Sequence, residues 1–245
     1  MTQQIEGRAA EAILKGRAAE VMLKGRAAEV MLKGRAAALR IDNLDTDQIM
    51  PKQFLRGIDK AGLAPGLFYD LRFDSQGEPR PDFVLNRPAY ASSKILLAGA
   101  NFGCGSSREH AVWGLQQYGI EALIAPSFGE IFYSNAMNNR LLLVMLPEPQ
   151  VAALMAAAEA GEAISIDVAA MRVRVGAGVG AGASGLDLPF ELSARHRRMF
   201  IEGLDVIGLS LSHRAEIEAF AQRHWAAQPW VKNVAALTRA RLIKP

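Results

Sequence analysis

The sequence predicts an α/β domain, and three observations predict it. Short apolar strands alternate with helical stretches between residues 94 and 160, a glycine-rich turn at 99–110 joins one of those strands to a helix, and Ala163–Val168 and Met171–Val175 alternate apolar and polar residues as an added strand pair. At 245 residues, half of them hydrophobic, the chain can bury a sizeable core as one large domain or two small ones.

Taken in order, Ala36–Ile41 reads as a strand and Asp42–Pro51 as a turn-rich stretch. Its three Asp in six residues lack the central Gly and closing Glu of an EF-hand, so Asx turns explain them better than calcium. Pro51 suits a first helical turn, which predicts a short helix over Lys52–Ile58. Residues 59–90, rich in Gly, Pro, Asp and aromatics, read as a long loop with short elements. Strands are expected at Lys94–Ala98, Ala122–Ala125 and Leu141–Leu146, with helices at Ser106–Tyr118, Phe128–Asn138 and Glu148–Ala160. Gly176–Gly185 is a flexible connection without the GK[ST] ending of a phosphate loop. After a strand at Leu186–Leu192, Ser193 caps a helix that Gly203 closes, and His213–His224 is the last amphipathic helix.

Residues 7–33 form a tandem repeat of period nine, GRAAEAILK followed twice by GRAAEVMLK, and Gly34-Arg35-Ala36-Ala37 starts a fourth copy. Nine residues at about 100° each turn the pattern by about 180°, so successive copies face opposite sides of a helix and no single apolar stripe results. Each glycine costs a helix about 1 kcal/mol against alanine. The expected organisation is therefore a poorly ordered tail at 1–33, a domain at 34–225 and a surface extension at 226–245. The pI of about 9.1 belongs to the tail: residues 1–40 hold eight Lys or Arg against four Glu, which leaves 20 basic and 21 acidic residues beyond them. No basic stripe interleaved with aromatics follows, so nucleic acid is not an expected partner. No apolar run approaches the roughly 20 residues of a membrane span, and Met1–Glu6 lacks the pattern of a secretory signal. With one cysteine, Cys104, a reducing cytoplasmic setting is expected.

Chemistry concentrates in Gly99-Ala100-Asn101-Phe102-Gly103-Cys104-Gly105-Ser106-Ser107-Arg108-Glu109-His110. Backbone amides, two hydroxyls and a guanidinium converge there at an expected helix start, which suits a small anion. Ser106 with Glu109 three residues on is also a capping box, a purely structural reading. The functional reading adds that glycines on both sides of Cys104 let backbone approach a ligand, that Arg108 can clamp a carboxylate at two points, and that a serine so placed can act as a stabilised alkoxide base. A Cys104–His110 nucleophile pair, with Asp47 orienting the imidazole, is the weaker alternative. His196, His213, His224 and the run Arg195-His196-Arg197-Arg198 read as surface or capping residues.

The stretch from Asn101 to Ala111, together with Asp45-Thr46-Asp47-Gln48-Ile49-Met50-Pro51-Lys52-Gln53-Phe54-Leu55, Ala125-Pro126-Ser127-Phe128 and Glu202-Gly203-Leu204-Asp205-Val206-Ile207-Gly208, resembles the small subunits of 3-isopropylmalate dehydratase. These are the swivel domain of the aconitase superfamily. The resemblance covers residues 34–225, and the motif order agrees. It implies a single swivelling α/β domain of the aconitase C-terminal type, a mixed sheet or partial barrel with flanking helices. It also implies a two-subunit hydro-lyase that interconverts 2- and 3-isopropylmalate by dehydration and rehydration in leucine biosynthesis. In that family a four-iron, four-sulfur cluster held by three thiolates acts as Lewis acid; a chain with only Cys104 would leave it to the large subunit. By the same resemblance Ser106 is the catalytic base, and Ser107 and Arg108 bind a substrate carboxylate. Asp47 with Thr46 orients a histidine of the cluster-bearing chain. Met50, Phe54 and Leu55 offer apolar surface to the isopropyl group, with Arg56 a second anion contact. The related substrates citraconate and homoaconitate, and a non-catalytic anion- or RNA-binding module, stand as alternatives. The duplicated repeat has no counterpart in the family pattern.

Overall fold

The computed structural model of the chain describes residues 31–55, 62–105, 108–176 and 185–242. The expectations for Ser106, Ser107 and Arg56, for the repeat copies before residue 31, and for the connection at 177–184 lie outside the described residues.

Strands β1 (Met31–Gly34) and β2 (Ala36–Leu39) lead to the short helix α1 (Thr46–Ile49) and a 3-10 turn at Lys52–Phe54. Helix α2 (Tyr69–Arg72) and 3-10 turns at Ala64–Gly66, Val84–Asn86 and Pro88–Tyr90 occupy the long loop. Then follow β3 (Ile95–Ala98), α3 (Glu109–Tyr118), β4 (Ala122–Ala125), α4 (Glu130–Asn138), β5 (Leu142–Met145) and α5 (Glu148–Glu159). Strands β6 (Ile164–Asp167), β7 (Arg172–Val175) and β8 (Asp187–Pro189) precede α6 (Ala194–Glu202), α7 (Val206–Leu211), α8 (Arg214–Ala227) and α9 (Val234–Leu242).

The expected mixed sheet resolves into two four-stranded sheets. One is parallel, in the order β2-β3-β4-β5, and the other antiparallel, in the order β1-β6-β7-β8. The parallel strands read as unbroken apolar runs because both faces are covered. Leu96, Ala98, Leu123, Ala125 and Leu143 point into a core shared with Val112 and Leu115 of α3 and Phe132 and Met137 of α4. The alternate residues Ile95, Leu97, Ala122, Ile124 and Val144 point into a second core with Leu154 of α5 and Ile164, Ile166 and Val173 of the antiparallel sheet.

The sheet begins before the expected end of the tail: Met31–Lys33 of the third repeat copy pair with β6, Leu32 opposite Ile166, and Leu32 packs on the second core. Of the helix expected at Lys52–Ile58, Lys52–Phe54 forms a 3-10 turn and residues 56–58 lie outside the described ones, while a separate short helix, α1, precedes Pro51. Asp45 Oδ1 accepts from the Gln48 amide at 2.8 Å and Gln48 Oε1 from the Asp45 amide at 3.0 Å, a reciprocal cap that sets the start. Pro51 has no N–H to extend that helix and opens the 3-10 turn instead. Ser193 caps α6 as expected, and Gly203, at φ 69°, closes it.

The chain divides into two compact units at Asp205 and Val206. The expected division at 225/226 falls inside α8. In the second unit α7, α8 and α9 bury no residue, and Ile207, Phe220, Trp230 and Leu242 are exposed. Among the described residues no helix is long and apolar enough to cross a membrane.

Candidate active site at the carboxyl ends of the parallel strands

Three loops leave the carboxyl ends of β2, β3 and β4, the end of a parallel sheet where ligands collect. They are stitched together by backbone and short polar side chains. Asp42 Oδ1 accepts from the Ala100 amide at 2.7 Å, and the Asn43 amide donates to Ala100 O at 2.8 Å. Gly103 N donates to Leu44 O at 2.7 Å and Thr46 N to Cys104 O at 3.0 Å. The third loop joins through Ser127, whose Oγ accepts from the Asn101 amide at 2.9 Å, and through Gly129, whose amide donates to Phe102 O at 2.9 Å. Gly103 adopts φ 76°, and a Cβ there would collide with the Phe132 ring. Glycine is needed on both counts.

This stitching places α1 beside the turn that precedes α3. Asp47, in the first turn of α1, pairs through Oδ1 with Arg108 Nη1, while Lys52 Nζ stands 3.6 Å from Oδ2. Two cations therefore share the Asp47 carboxylate, while Asp42 and Asp45 of the same loop accept from backbone amides. Arg108 is three-quarters covered.

The capping box expected between Ser106 and Glu109 involves a residue outside the described ones. Helix α3 begins at Glu109, and its N-cap, Arg108, is extended and has no side-chain cap. Glu109 Oε1 accepts from Asn139 Nδ2 at 2.8 Å, just past the end of α4. A tertiary partner thus holds one oxygen of the carboxylate that local spacing offered to Ser106.

The other expected site residues separate. Thr46 is 1% exposed and anchors α1 to Cys104. Phe54 and Leu55 are half-buried on the first core, with the Phe54 ring lying over Gly66 and 5.1 Å from Tyr69. Met50, expected to offer surface to an isopropyl group, is fully buried, with its Cε against Gly114. Cys104 Sγ donates to Asn43 O at 3.2 Å, and Asp47 is engaged by cations, so the alternative Cys104–His110–Asp47 arrangement does not form. The His110 ring lies 4.8 Å from Trp113. His196 is half-buried against Tyr133, and burial with nearby Arg195 pushes its pKa down. Arg197 and Arg198 of the expected solvated run are engaged, by Ala169 O at 2.7 Å and Glu202 at 2.9 Å.

Sequence reasoning missed Lys52, Asn139, Asn43 and Ser127 as members of this site. Only Lys52 carried a local signal, lying one helical turn or so beyond Asp47; the others are joined to the site by contacts between segments distant in the chain.

The chain matches the Aconitase C-terminal domain family over residues 28–149. It is 62% identical over 206 residues to 3-isopropylmalate dehydratase small subunit 1 of Chromobacterium violaceum, a match covering 83% of this chain and 93% of that one. Against small subunit 2 of the Salmonella typhimurium enzyme it is 44% identical over 194 residues, 79% of this chain and 90% of that one. A solved structure of 3-isopropylmalate dehydratase from Methanocaldococcus jannaschii superposes with a TM-score of 0.56 at 27% identity, over 78% of this chain and 99% of that one. Similar to these proteins over nearly their whole length, the chain belongs to the family of 3-isopropylmalate dehydratase small subunits, with the aconitase C-terminal fold.

Proposed function

We propose that this chain is the small subunit of isopropylmalate isomerase, interconverting 2- and 3-isopropylmalate by dehydration and rehydration in leucine biosynthesis once joined to a large subunit. The observation that carries this is the 62% identity over 93% of a protein named 3-isopropylmalate dehydratase small subunit 1. That Arg108 and Lys52 share the single carboxylate of Asp47 leaves cationic donors for a dicarboxylate substrate, which supports this reading.

In this reading Arg108 binds a substrate carboxylate with its planar guanidinium, the geometry such a group matches at two points. Ser107 adds a hydroxyl to the same carboxylate. Ser106 takes the proton from the carbon beside that carboxylate, and the amides of the glycine-rich turn with Arg108 favour its alkoxide. Asp47 keeps Arg108 in place, and with Thr46 holding α1 its carboxylate is set to meet a histidine of the large subunit. Phe54 and Leu55 meet the apolar end of the substrate with their exposed edges, and Arg56 is a second anion contact.

A four-iron, four-sulfur cluster does not fit this chain's donors. Its single thiol is already donating to Asn43 O, and among the described residues no group of three His, Cys, Asp or Glu gathers. We therefore assign the cluster to the large subunit, and the pair to the cytoplasm.

Co-expression with the large subunit tests the reading. A coloured complex should co-purify and turn over isopropylmalate in preference to citraconate and homoaconitate. Ser106→Ala should lower kcat by roughly 10²–10⁴-fold with assembly intact. Loss of assembly with full turnover per complex would overturn Ser106 as base, and salt-sensitive RNA binding without a large subunit would overturn the enzyme reading.

A further inference from the structure

Asn139 caps the end of α4, and its amide is fully engaged. Nδ2 donates to Glu109 Oε1 at 2.8 Å and to Asn135 O at 2.9 Å, while Oδ1 accepts from Trp113 Nε1 at 3.1 Å. Its carbonyl accepts from Gln116 Nε2 at 2.7 Å. The orientation of this amide is determined chemically, because a carboxylate only accepts and an indole N–H only donates. Aspartate would set a carboxylate against Glu109, and an aliphatic residue would strand both the indole and the carboxylate. Trp113 and Gln116 lie on α3 itself, so Asn139 grips the helix at its first residue and along its first two turns.

We infer that Glu109 and Asn139 are a positioning pair that fixes where α3 begins, and through that start the extended backbone of Arg108 and the reach of its guanidinium to the substrate carboxylate. The inference rests on the reading of Arg108 as the carboxylate contact. Its physical basis is adjacency: Arg108 has no cap of its own, and the residue after it is tied by a charge-assisted hydrogen bond to a different helix. If that tie is broken the first turn can fray, as helix ends do, and the guanidinium loses its fixed origin.

The test uses the reconstituted two-subunit enzyme with isopropylmalate as substrate. Asn139→Asp keeps the acceptor for Trp113 but opposes Glu109, and should raise KM about tenfold while kcat changes much less. Adding Glu109→Gln restores a donor–acceptor pair in reversed polarity and should recover most of the loss. In an Arg108→Ala background Asn139→Asp should add nothing, because both act on one contact. Should Asn139→Asp fail to fold, Glu109→Ala cuts the same bond from the other end with the same expected rise in KM. A lowered melting temperature with unchanged KM, no rescue by Glu109→Gln, or additive effects with Arg108→Ala would each overturn the positioning role. An Arg108→Ala enzyme with unchanged KM would instead overturn the reading of Arg108 on which it rests.

Discussion

Two clusters of carboxylates and guanidinium groups occur in the first unit, one on the antiparallel sheet and one at the ends of the parallel strands. On the sheet, Asp167 and Asp187 face Arg172 and Arg174 across β6, β7 and β8, with Arg172 Nε 2.8 Å from Asp187 and Arg174 Nη1 3.2 Å from Asp167. Two negative charges meet two positive ones. The Asp187 carboxyl lies below its usual range because Arg172 hydrogen-bonds it; the Asp167 carboxyl is lowered first by the Ala170 amide and then by Arg174. At the strand ends one carboxylate, Asp47, serves two cations, Arg108 and Lys52. The sheet cluster is self-sufficient, so it joins strands and asks for nothing further. In the loop cluster two cations share one carboxylate, so their donors are not matched one to one, and the proposed substrate carboxylate would use what is left over.

The sharpest way to break this contrast is to remove a guanidinium from each cluster. Arg108→Ala should lower kcat/KM about a hundredfold, the worth of hydrogen bonds to a charged partner. Arg174→Ala should leave turnover unchanged, and equal losses in the two assays would erase the distinction. The packing behind the clusters gives the next largest effect. Gly103 and Gly161 both adopt positive φ, but a Cβ meets Phe132 at the first and open space at the second. Gly103→Ala should therefore cost about 2–3 kcal/mol by chemical denaturation and Gly161→Ala about 1 kcal/mol. Asp47→Asn should follow, with about a tenfold fall in kcat/KM as Arg108 loses its holder; an unchanged value would show that Arg108 keeps its place without Asp47. The smallest effect is expected from Asp167→Asn. A carboxyl whose folded pKa is depressed contributes stability that is present above its unfolded pKa and lost as pH falls through the folded one. The Asp167→Asn variant should therefore unfold slightly more easily than the parent at neutral pH, and the gap should close below about pH 4. A gap that stays constant through acid titration would show that the charge is not its source.

Much of the fold was legible because its causes are local. Unbroken apolar runs flanked by turns located β3, β4 and β5, and Ser193 with Gly203 bounded α6 to the residue. The glycine-rich turn and the Thr46-Asp47 segment were marked as candidate site components by their resemblance to a family, a signal carried by motif and order rather than by geometry. What stayed hidden involves competition between partners. Local spacing offered Glu109 only Ser106 and gave no sign that Asn139, 30 residues away, donates to it. Met50 read as apolar surface and is buried because Gly114 leaves a space for its Cε.

By itself the sequence determined the alternation of strands and helices, the helix caps built from neighbouring residues, and the residue types gathered at the glycine-rich turn, because each depends on interactions within a few positions of the chain. Only the tertiary structure decided that Asp47 would be shared by Arg108 and Lys52, that α3 would start at Glu109, and that Thr46 and Met50 would be closed off from solvent. Those outcomes depend on which distant groups the parallel sheet brings together. Hydrogen bonds and packing across such contacts join segments far apart in the chain and leave no mark on local spacing.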